Sequence, residues 1–233
     1  MSDLFAPCAL VPAYRAEATV GAVVRGTLRH VPRVIVVDDG SPDRTADAAR
    51  EAGAEVLSLA ANGGKGTALR AGLDRLLANG SEVGAPTHVA FLDADGQHDP
   101  DDLPRLLEAA RAGEAFVIGS RMDESDAIPA YRHRTNEIGS RILSRMTGLE
   151  IEDAQSGYRV VSAGLLRKLS LNARGYIIET EMLLKAAPHL RRFRHVPVRA
   201  IYDDGPSGSH YRPFRDTWLI SWGAVYYKVF EVD

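Results

Sequence analysis

Two aspartates separated by one residue, Asp93 and Asp95, follow the apolar run His88-Val89-Ala90-Phe91-Leu92. Carboxylates at this spacing can face a common divalent cation, and Mg2+ or Mn2+ prefers hard oxygen ligands. Gln97 and His98 stand close enough to add a ligand or a hydrogen bond. The same residue types also make solvated acidic turns. An apolar strand running straight into Asp-Ala-Asp-Gly favours the metal. A second acidic pair, Asp38-Asp39, closes the β-branched run Val34-Ile35-Val36-Val37 and leads into Gly40-Ser41.

Asn62-Gly63-Gly64-Lys65-Gly66-Thr67 opens a helical pattern. Glycine N–H groups at a helix N-terminus can hold a phosphate. A Walker A loop needs Ser or Thr directly after its lysine, and Gly66 follows Lys65, so this is not a P-loop. No Gly-x-Gly-x-x-Gly follows the first strand, so a dinucleotide site has no support.

These residues need a frame, and the hydrophobic pattern supplies one. Short apolar runs at Ala9–Val11, Val34–Val37, Glu55–Leu59, His88–Leu92 and Phe116–Ile118 read as strands. Between them lie helical spacings: Val20, Val23, Val24 and Leu28; a segment from about Pro42 to Ala52; Leu69, Leu73, Leu76 and Leu77; and Leu103, Leu106, Leu107 and Ala110. Repeated strand–helix units imply an α/β fold, a mostly parallel, Rossmann-like sheet with helices on both faces. Ligands of such sheets bind beyond the carboxyl ends of the strands, where these aspartates fall. After about residue 120 the pattern loosens. Ile138, Ile142, Leu143 and Met146 predict a helix ending at Gly148, and Met182, Leu183 and Ala186 another stopped by Pro188. Val196–Ile201 reads as an edge strand, because Pro197 cannot donate to a ladder.

Composition sets the outer bounds. The 233 residues are 45% hydrophobic and 25% charged, ordinary globular values. A net charge of −3 argues against a nucleic-acid-binding protein. The one cysteine, Cys8, allows no intrachain disulfide and reads as a small buried hydrophobe. No run reaches the roughly 18 apolar residues that span a bilayer, and the start lacks a secretory signal pattern. The tail Trp218–Phe230 is aromatic and apolar, and fits either a helix on its own domain or contact with a membrane or partner.

The motifs occur in a telling order: Val11-Pro12-Ala13-Tyr14, Val37-Asp38-Asp39-Gly40-Ser41, Asn62-x-Gly64-Lys65-Gly66, Asp93-Ala94-Asp95-Gly96-Gln97-His98, Gly119-Ser120-Arg121 and Gln155-Ser156-Gly157-Tyr158-Arg159. In this order the chain resembles family-2 glycosyltransferases, in the branch of dolichol-phosphate mannose synthases and bacterial polyprenyl-phosphate glycosyltransferases. The resemblance covers about residues 7 to 215. It implies the GT-A nucleotide-sugar fold, an inverting mechanism, and Mg2+ or Mn2+.

By that resemblance Pro12, Tyr14 and Asp39 line the nucleoside, with Asp38 shaping the turn or touching the ribose. Asp93, Asp95 and Gln97 hold the metal against the donor diphosphate, and Lys65, His210 and Arg212 add positive charge. Arg121 faces an acceptor phosphate, joined by Arg132 or Arg134. Asp153, Gln155 and Gly157 match a loop near the sugar, and Glu179 and Glu181 an acidic pair on a following helix. Asp95, Arg121, Asp153 and Glu181 are the candidate catalytic residues. The family usually has Asn-Glu after the tyrosine; here Arg15-Ala16 stands, with Glu17 next, which leaves the base open.

The expected organisation is one domain over residues 1–233: a nucleotide-sugar half (1–120), an acceptor half (121–215) and an amphipathic C-terminal helix (216–233). The expected activity moves a hexose from a nucleotide-diphospho-sugar, of the GDP-mannose or UDP-glucose type, to a polyprenyl phosphate. The implied setting is cytoplasmic, in peripheral contact with a membrane. Transfer to a hydroxyl acceptor is the alternative and needs a general base, for which Asp153, Glu179 or Glu181 are candidates. Asp-x-Asp-Gly after a strand also resembles haloacid-dehalogenase phosphatases, whose motif usually lies at the first strand and continues with Thr or Val.

Overall fold

A computed structural model describes residues 5–78, 85–122, 130–199 and 201. Its strands are β1 (Pro7–Ala13), β2 (Val34–Asp38), β3 (Glu55–Ser58), β4 (His88–Phe91), β5 (Phe116–Ser120), β6 (Arg159–Ser162) and β7 (Arg194–Pro197). Its helices are α1 (Val20–Leu28), α2 (Thr45–Glu51), α3 (Lys65–Leu77), α4 (Leu103–Arg111), α5 (Ala130–Thr147), α6 (Ala163–Leu166) and α7 (Ile177–Ala186).

The strands form one sheet in the order β3-β2-β1-β4-β6-β5-β7. β1 pairs in parallel with β2 and β4, β2 with β3, and β5 with β7. Between β4 and β5, β6 runs antiparallel to both. The expected mostly parallel sheet is therefore present, with one reversed strand that the sequence pattern did not show.

Successive strand residues face opposite sides, so each strand feeds two cores. Leu10, Ile35, Val37, Val89, Phe91 and Ile118 pack with α3 and α7 through Leu69, Leu73, Ile178 and Met182. Ala9, Val11, Val34, Val36, Ala90 and Val117 pack with α1 and α4 through Val20, Val24, Leu103 and Leu106. Burial on both faces explains why β2 is an unbroken apolar run rather than an alternating one.

Local chemistry shifts some boundaries. The second helix starts at Thr45, not near Pro42. Asp43 Oδ1 accepts from the Thr45 N–H (3.1 Å) and hydroxyl (2.6 Å), holding residues 42–44 as a turn. The edge strand expected at Val196–Ile201 is present at the sheet margin but lies earlier, as β7, with Pro197 as its last residue, beside Ser120. β1 lies between β2 and β4 where the chain order reverses, so the crevice beyond the ends of β1 and β4 is the natural ligand position.

Candidate active site

Three loops meet at that crevice. The loop after β2 is shaped by its own carboxylates. Asp38 Oδ1 accepts from the Ser41 N–H (3.1 Å), closing a turn. Asp39, buried, accepts from the Gly63 N–H at 2.9 Å and the Gly64 N–H at 2.7 Å. The backbone donors that the sequence offered to a phosphate at Gly63 and Gly64 are thus turned onto Asp39. Gly40 makes this approach possible: its φ is +66°, and a Cβ there would lie 2.7 Å from the Ala61 carbonyl carbon.

The turn after β4 is open. Asp95 is exposed, and its Oδ1 accepts from the Gln97 N–H at 3.0 Å. Partial desolvation and the negative charge of Asp93 raise its pKa. His98 is buried and stacks on Tyr158, centroids 5.0 Å apart. Its Nδ1 accepts from the Asp93 N–H at 3.0 Å. Burial keeps this imidazole neutral, its pKa down to about 4 despite the pull of Asp93. His98 is therefore a support for the turn. Thr19 Oγ1 donates to the Ala94 carbonyl (2.6 Å) and Tyr158 Oη to the Asp99 carbonyl (3.0 Å), bracing the turn from either side.

Lys65, the first residue of α3, lies between two carboxylates. Its Nζ is 2.5 Å from Asp93 Oδ1 and 2.7 Å from Glu179 Oε1, and 5.7 Å from the Tyr176 ring centroid. Burial alone would lower the ammonium pKa; the two carboxylates outweigh it and raise it. Asp93 is likewise held down at about 2, because Lys65, His98 and Arg121 outweigh its desolvation. Gly157 covers this cluster, and a Cβ there would lie 2.7 Å from Glu179 Oε1. Pro12, Lys65, Asp93, Gly157, Arg159 and Glu179 line one crevice.

Arg121 directly follows β5 and is held by Asp153 in the segment before β6. Asp153 is fully buried and accepts from Arg121 Nε and Nη2, both at 2.9 Å, from the Arg121 N–H at 3.1 Å and from Asn136 Nδ2 at 2.7 Å. Burial would raise its pKa, but the guanidinium and Asn136 hold it below the ordinary carboxylate range. A carboxylate with four donors on it is a poor proton acceptor, and here it holds Arg121 in place. Glu181 also departs from expectation. It is fully buried and accepts from the Asn172 N–H (2.9 Å), the Ala173 N–H (2.8 Å) and Lys185 Nζ (2.8 Å), which ties residues 170–173 to α7. The acidic pair splits: Glu179 joins Lys65, and Glu181 holds a loop.

Other expected residues fall in mixed places. The Gln155 N–H donates to Asn136 Oδ1 (3.3 Å), and Arg134 is exposed on α5. Arg132 lies in the same helix. His210, Arg212 and the tail Trp218–Phe230 lie outside the described residues. Two organising residues escaped the sequence reading as such. Arg159, fully buried, donates to the carbonyls of Ser156 (2.8 Å), Glu179 (2.7 Å) and Ala154 (3.0 Å). Asn136 joins α5 to both Asp153 and Gln155. A buried arginine following Ser-Gly-Tyr was the available signal for the first; Asn136 has none.

The open turn offers the hard oxygens of two carboxylates and an amide. Among the described residues no group of three or more His, Cys, Asp or Glu forms a ready ligand shell. A Mg2+-like ion is commonly held by one or two carboxylates together with substrate phosphates, so these residues fit such an ion arriving with a diphosphate.

Comparison with known proteins decides the family. Residues 8–170 match the model for "Glycosyl transferase family 2". The chain belongs to that family. It is a glycosyltransferase. Among its relatives, the undecaprenyl-phosphate mannosyltransferase of Micrococcus luteus is 36% identical over 81% of this chain and 81% of that one. The glycosyltransferase AglJ of Haloferax volcanii is 32% identical over 92% of this chain and 69% of that one. Glucosyl-3-phosphoglycerate synthase of Mycobacterium tuberculosis, in a crystal structure with Mn2+, UDP and phosphoglyceric acid, superposes with a TM-score of 0.71. It covers 95% of this chain and 76% of that one at 23% identity, a likeness of fold. The family-2 glycosyltransferase resemblance and the GT-A fold expected from the motifs both hold.

Proposed function

We propose that this glycosyltransferase moves a hexose from a nucleotide-diphospho-sugar to a polyprenyl phosphate, with inversion at the anomeric carbon. One observation carries the choice of acceptor: each carboxylate offered by the sequence as a general base is already engaged. Asp153 is filled by Arg121 and Asn136, Glu181 by backbone N–H groups and Lys185, and Glu179 by Lys65. A hydroxyl nucleophile needs such a base. A phosphate is ionised at neutral pH and needs orientation by cations, which Arg121 on its Asp153 support provides. The relative from Micrococcus luteus carries the same acceptor class in its name.

In this reading the donor diphosphate lies across the ends of β1 and β4. Pro12 and Tyr14 border the nucleoside, with Asp38 and Asp39 fixing the loop beside it. Asp93, Asp95 and Gln97 would hold Mg2+ or Mn2+. That ion supplies Lewis-acid stabilisation of the departing diphosphate. Lys65 adds a buried positive charge beside Asp93 where negative charge develops. Arg121, with Arg132 or Arg134, aligns the acceptor phosphate so that one of its oxygens attacks the anomeric carbon opposite the leaving group. The carbon–oxygen bond to the diphosphate breaks, and the nucleoside diphosphate leaves. His210 and Arg212 are assigned to the diphosphate by motif alone.

Residues 1–120 form the donor half in this reading and 121–215 the acceptor half; residues 216–233 lie outside the described residues. No helix among the described residues is long and apolar enough to cross a membrane. Work on a lipid acceptor then calls for peripheral contact, on the cytoplasmic side where nucleotide sugars are found.

The test is a donor panel of GDP-mannose, UDP-glucose and UDP-N-acetylglucosamine, with and without polyprenyl phosphate and with Mn2+, Mg2+ or chelator. Metal-dependent appearance of labelled sugar in the organic phase from one donor is expected. Transfer only to water-soluble hydroxyl acceptors overturns the acceptor, and full activity in chelator overturns the metal.

A further inference from the structure

Arg15 is a backbone outlier at the mouth of the crevice. Its φ is 52°, in the left-handed region, the one positive value for a non-glycine residue among the described residues. Residues other than Gly, Asn and Asp rarely adopt it. Such a conformation persists where the surroundings over-determine it, and they do. The Arg15 N–H donates to Ser41 Oγ (3.0 Å), and the Ala16 N–H to Thr45 Oγ1 (2.8 Å). Thr45 is itself fixed by Asp43. The end of β1 is thus clamped to the loop after β2, at the place where the nucleoside is proposed to lie.

The clamp delivers an exposed cationic side chain. Arg15 is exposed, and its guanidinium carbon is 5.4 Å from the centroid of the Tyr14 ring. Arg29, Arg33, Arg44 and Arg50 each pair with a carboxylate, whereas Arg70 donates to the Gly66 carbonyl and Arg111 lies over the Phe5 ring. Arg15 has no ion pair among the described residues. The nearby Glu17 accepts from the Arg44 N–H at 3.0 Å.

We propose that Arg15 selects the donor's nucleobase, and that the base is guanine. The assignment rests on the reading that a nucleotide-diphospho-sugar occupies this crevice. The chemistry follows from the donor inventory. A guanidinium has N–H donors in a fixed fork and no acceptor, so it reads acceptors on a base edge. Guanine presents two neighbouring acceptors, O6 and N7, which match the fork. The two carbonyls of uracil are separated by an N–H donor and do not.

The experiment is titration calorimetry of the full chain in Mn2+ with GDP, UDP and pyrophosphate, for the wild type, Arg15→Gly and Arg15→Lys, with thermal midpoints alongside. The wild type is expected to bind GDP about tenfold to a hundredfold more tightly than UDP, the range for a bidentate base contact. Arg15→Gly is expected to bring the two affinities together while raising the thermal midpoint, because glycine takes the left-handed conformation without strain. Arg15→Lys keeps the charge without the fork, and is also expected to lose the GDP preference. An unchanged GDP:UDP ratio in both variants overturns the assignment, as does a wild-type preference for UDP. Equal losses for GDP, UDP and pyrophosphate overturn it in favour of a phosphate contact. A wild type that binds none of the three overturns the donor reading, and the assignment with it.

Discussion

The turn after β4 and the segment before β6 both present aspartates near the crevice, but they treat them in opposite ways. Asp95 is exposed on a turn, with a single backbone N–H on one of its oxygens. Asp153 is sealed, with four donors on its two oxygens. The first carboxylate retains capacity for a ligand; the second has spent its capacity on an arginine. Residue type alone does not separate them. What separates them is how many donors the fold brings to each, and this decides which substitution costs activity and which costs stability.

The largest expected effect breaks the open side. Asp95→Ala should lower sugar transfer by about a hundredfold to a thousandfold, in line with loss of one preorganised electrostatic group from a catalytic centre. Its thermal midpoint should stay close to that of the wild type, because the side chain makes one hydrogen bond at the surface. Near-normal turnover would remove Asp95 from the metal site, and a collapsed midpoint would show that the turn is structural.

The sealed side should respond in the reverse order. Asp153→Ala leaves Arg121 without its partner and is expected to cost about 3–5 kcal/mol of stability, the range for removing one member of a buried ion pair. Its pH signature has a definite sign. The folded-state pKa of Asp153 is depressed, so its stabilisation is complete above the unfolded value near 4 and is lost as pH falls through the lower folded value. Acid unfolding curves of Asp153→Asn should therefore be flatter than wild type below about pH 4. Equal slopes would mean that the pair contributes no such linkage.

On α7, two residues apart, two buried carboxylates are spent differently, Glu179 on Lys65 and Glu181 on a loop, which shows how far a sequence can be read. The parallel half of the sheet was legible because β1, β2 and β4 are apolar runs that end in Asp or in Pro-Ala-Tyr. The reversed strand β6 was not: it has four residues, begins with Arg159, and is buried by neighbours remote in sequence. Asp93, Lys65 and Arg121 stood out through their motifs, and the fold brings Asp93 onto Lys65 and Arg121 onto Asp153. The partition of Glu179 from Glu181 was not legible, because it depends on Asn172 and Ala173 folding back against the helix. Nor was the fate of the Gly63 and Gly64 N–H groups, which look like a phosphate cradle until Asp39 is placed beneath them.

Glu179→Gln and Glu181→Gln therefore form an informative pair. Glu181→Gln removes the charge that gathers two backbone N–H groups and Lys185, and should cost about 1–3 kcal/mol with the kcat of the folded protein preserved. Glu179→Gln leaves Lys65 to Asp93 alone, so it should change donor KM or kcat with a smaller loss of stability. The reverse pattern, with Glu181→Gln inactive but stable, would return Glu181 to the catalytic set.

The smallest effect tests whether Arg121 is held by the ion pair itself or by the network around it. Asn136 donates to Asp153 Oδ1 at 2.7 Å and accepts from the Gln155 N–H at 3.3 Å, so it touches the loop but not the guanidinium. Asn136→Ala removes one donor from a carboxylate that still keeps three from Arg121. The expected cost is about 1–2 kcal/mol, that of a buried hydrogen bond lost together with an unpaired backbone N–H. Arg121 should stay in place, so the KM for the lipid phosphate should change less than about threefold, within the effect of a single weakened contact. A tenfold rise in that KM, with donor KM unchanged, would show that the orientation of Arg121 depends on α5 as well as on Asp153.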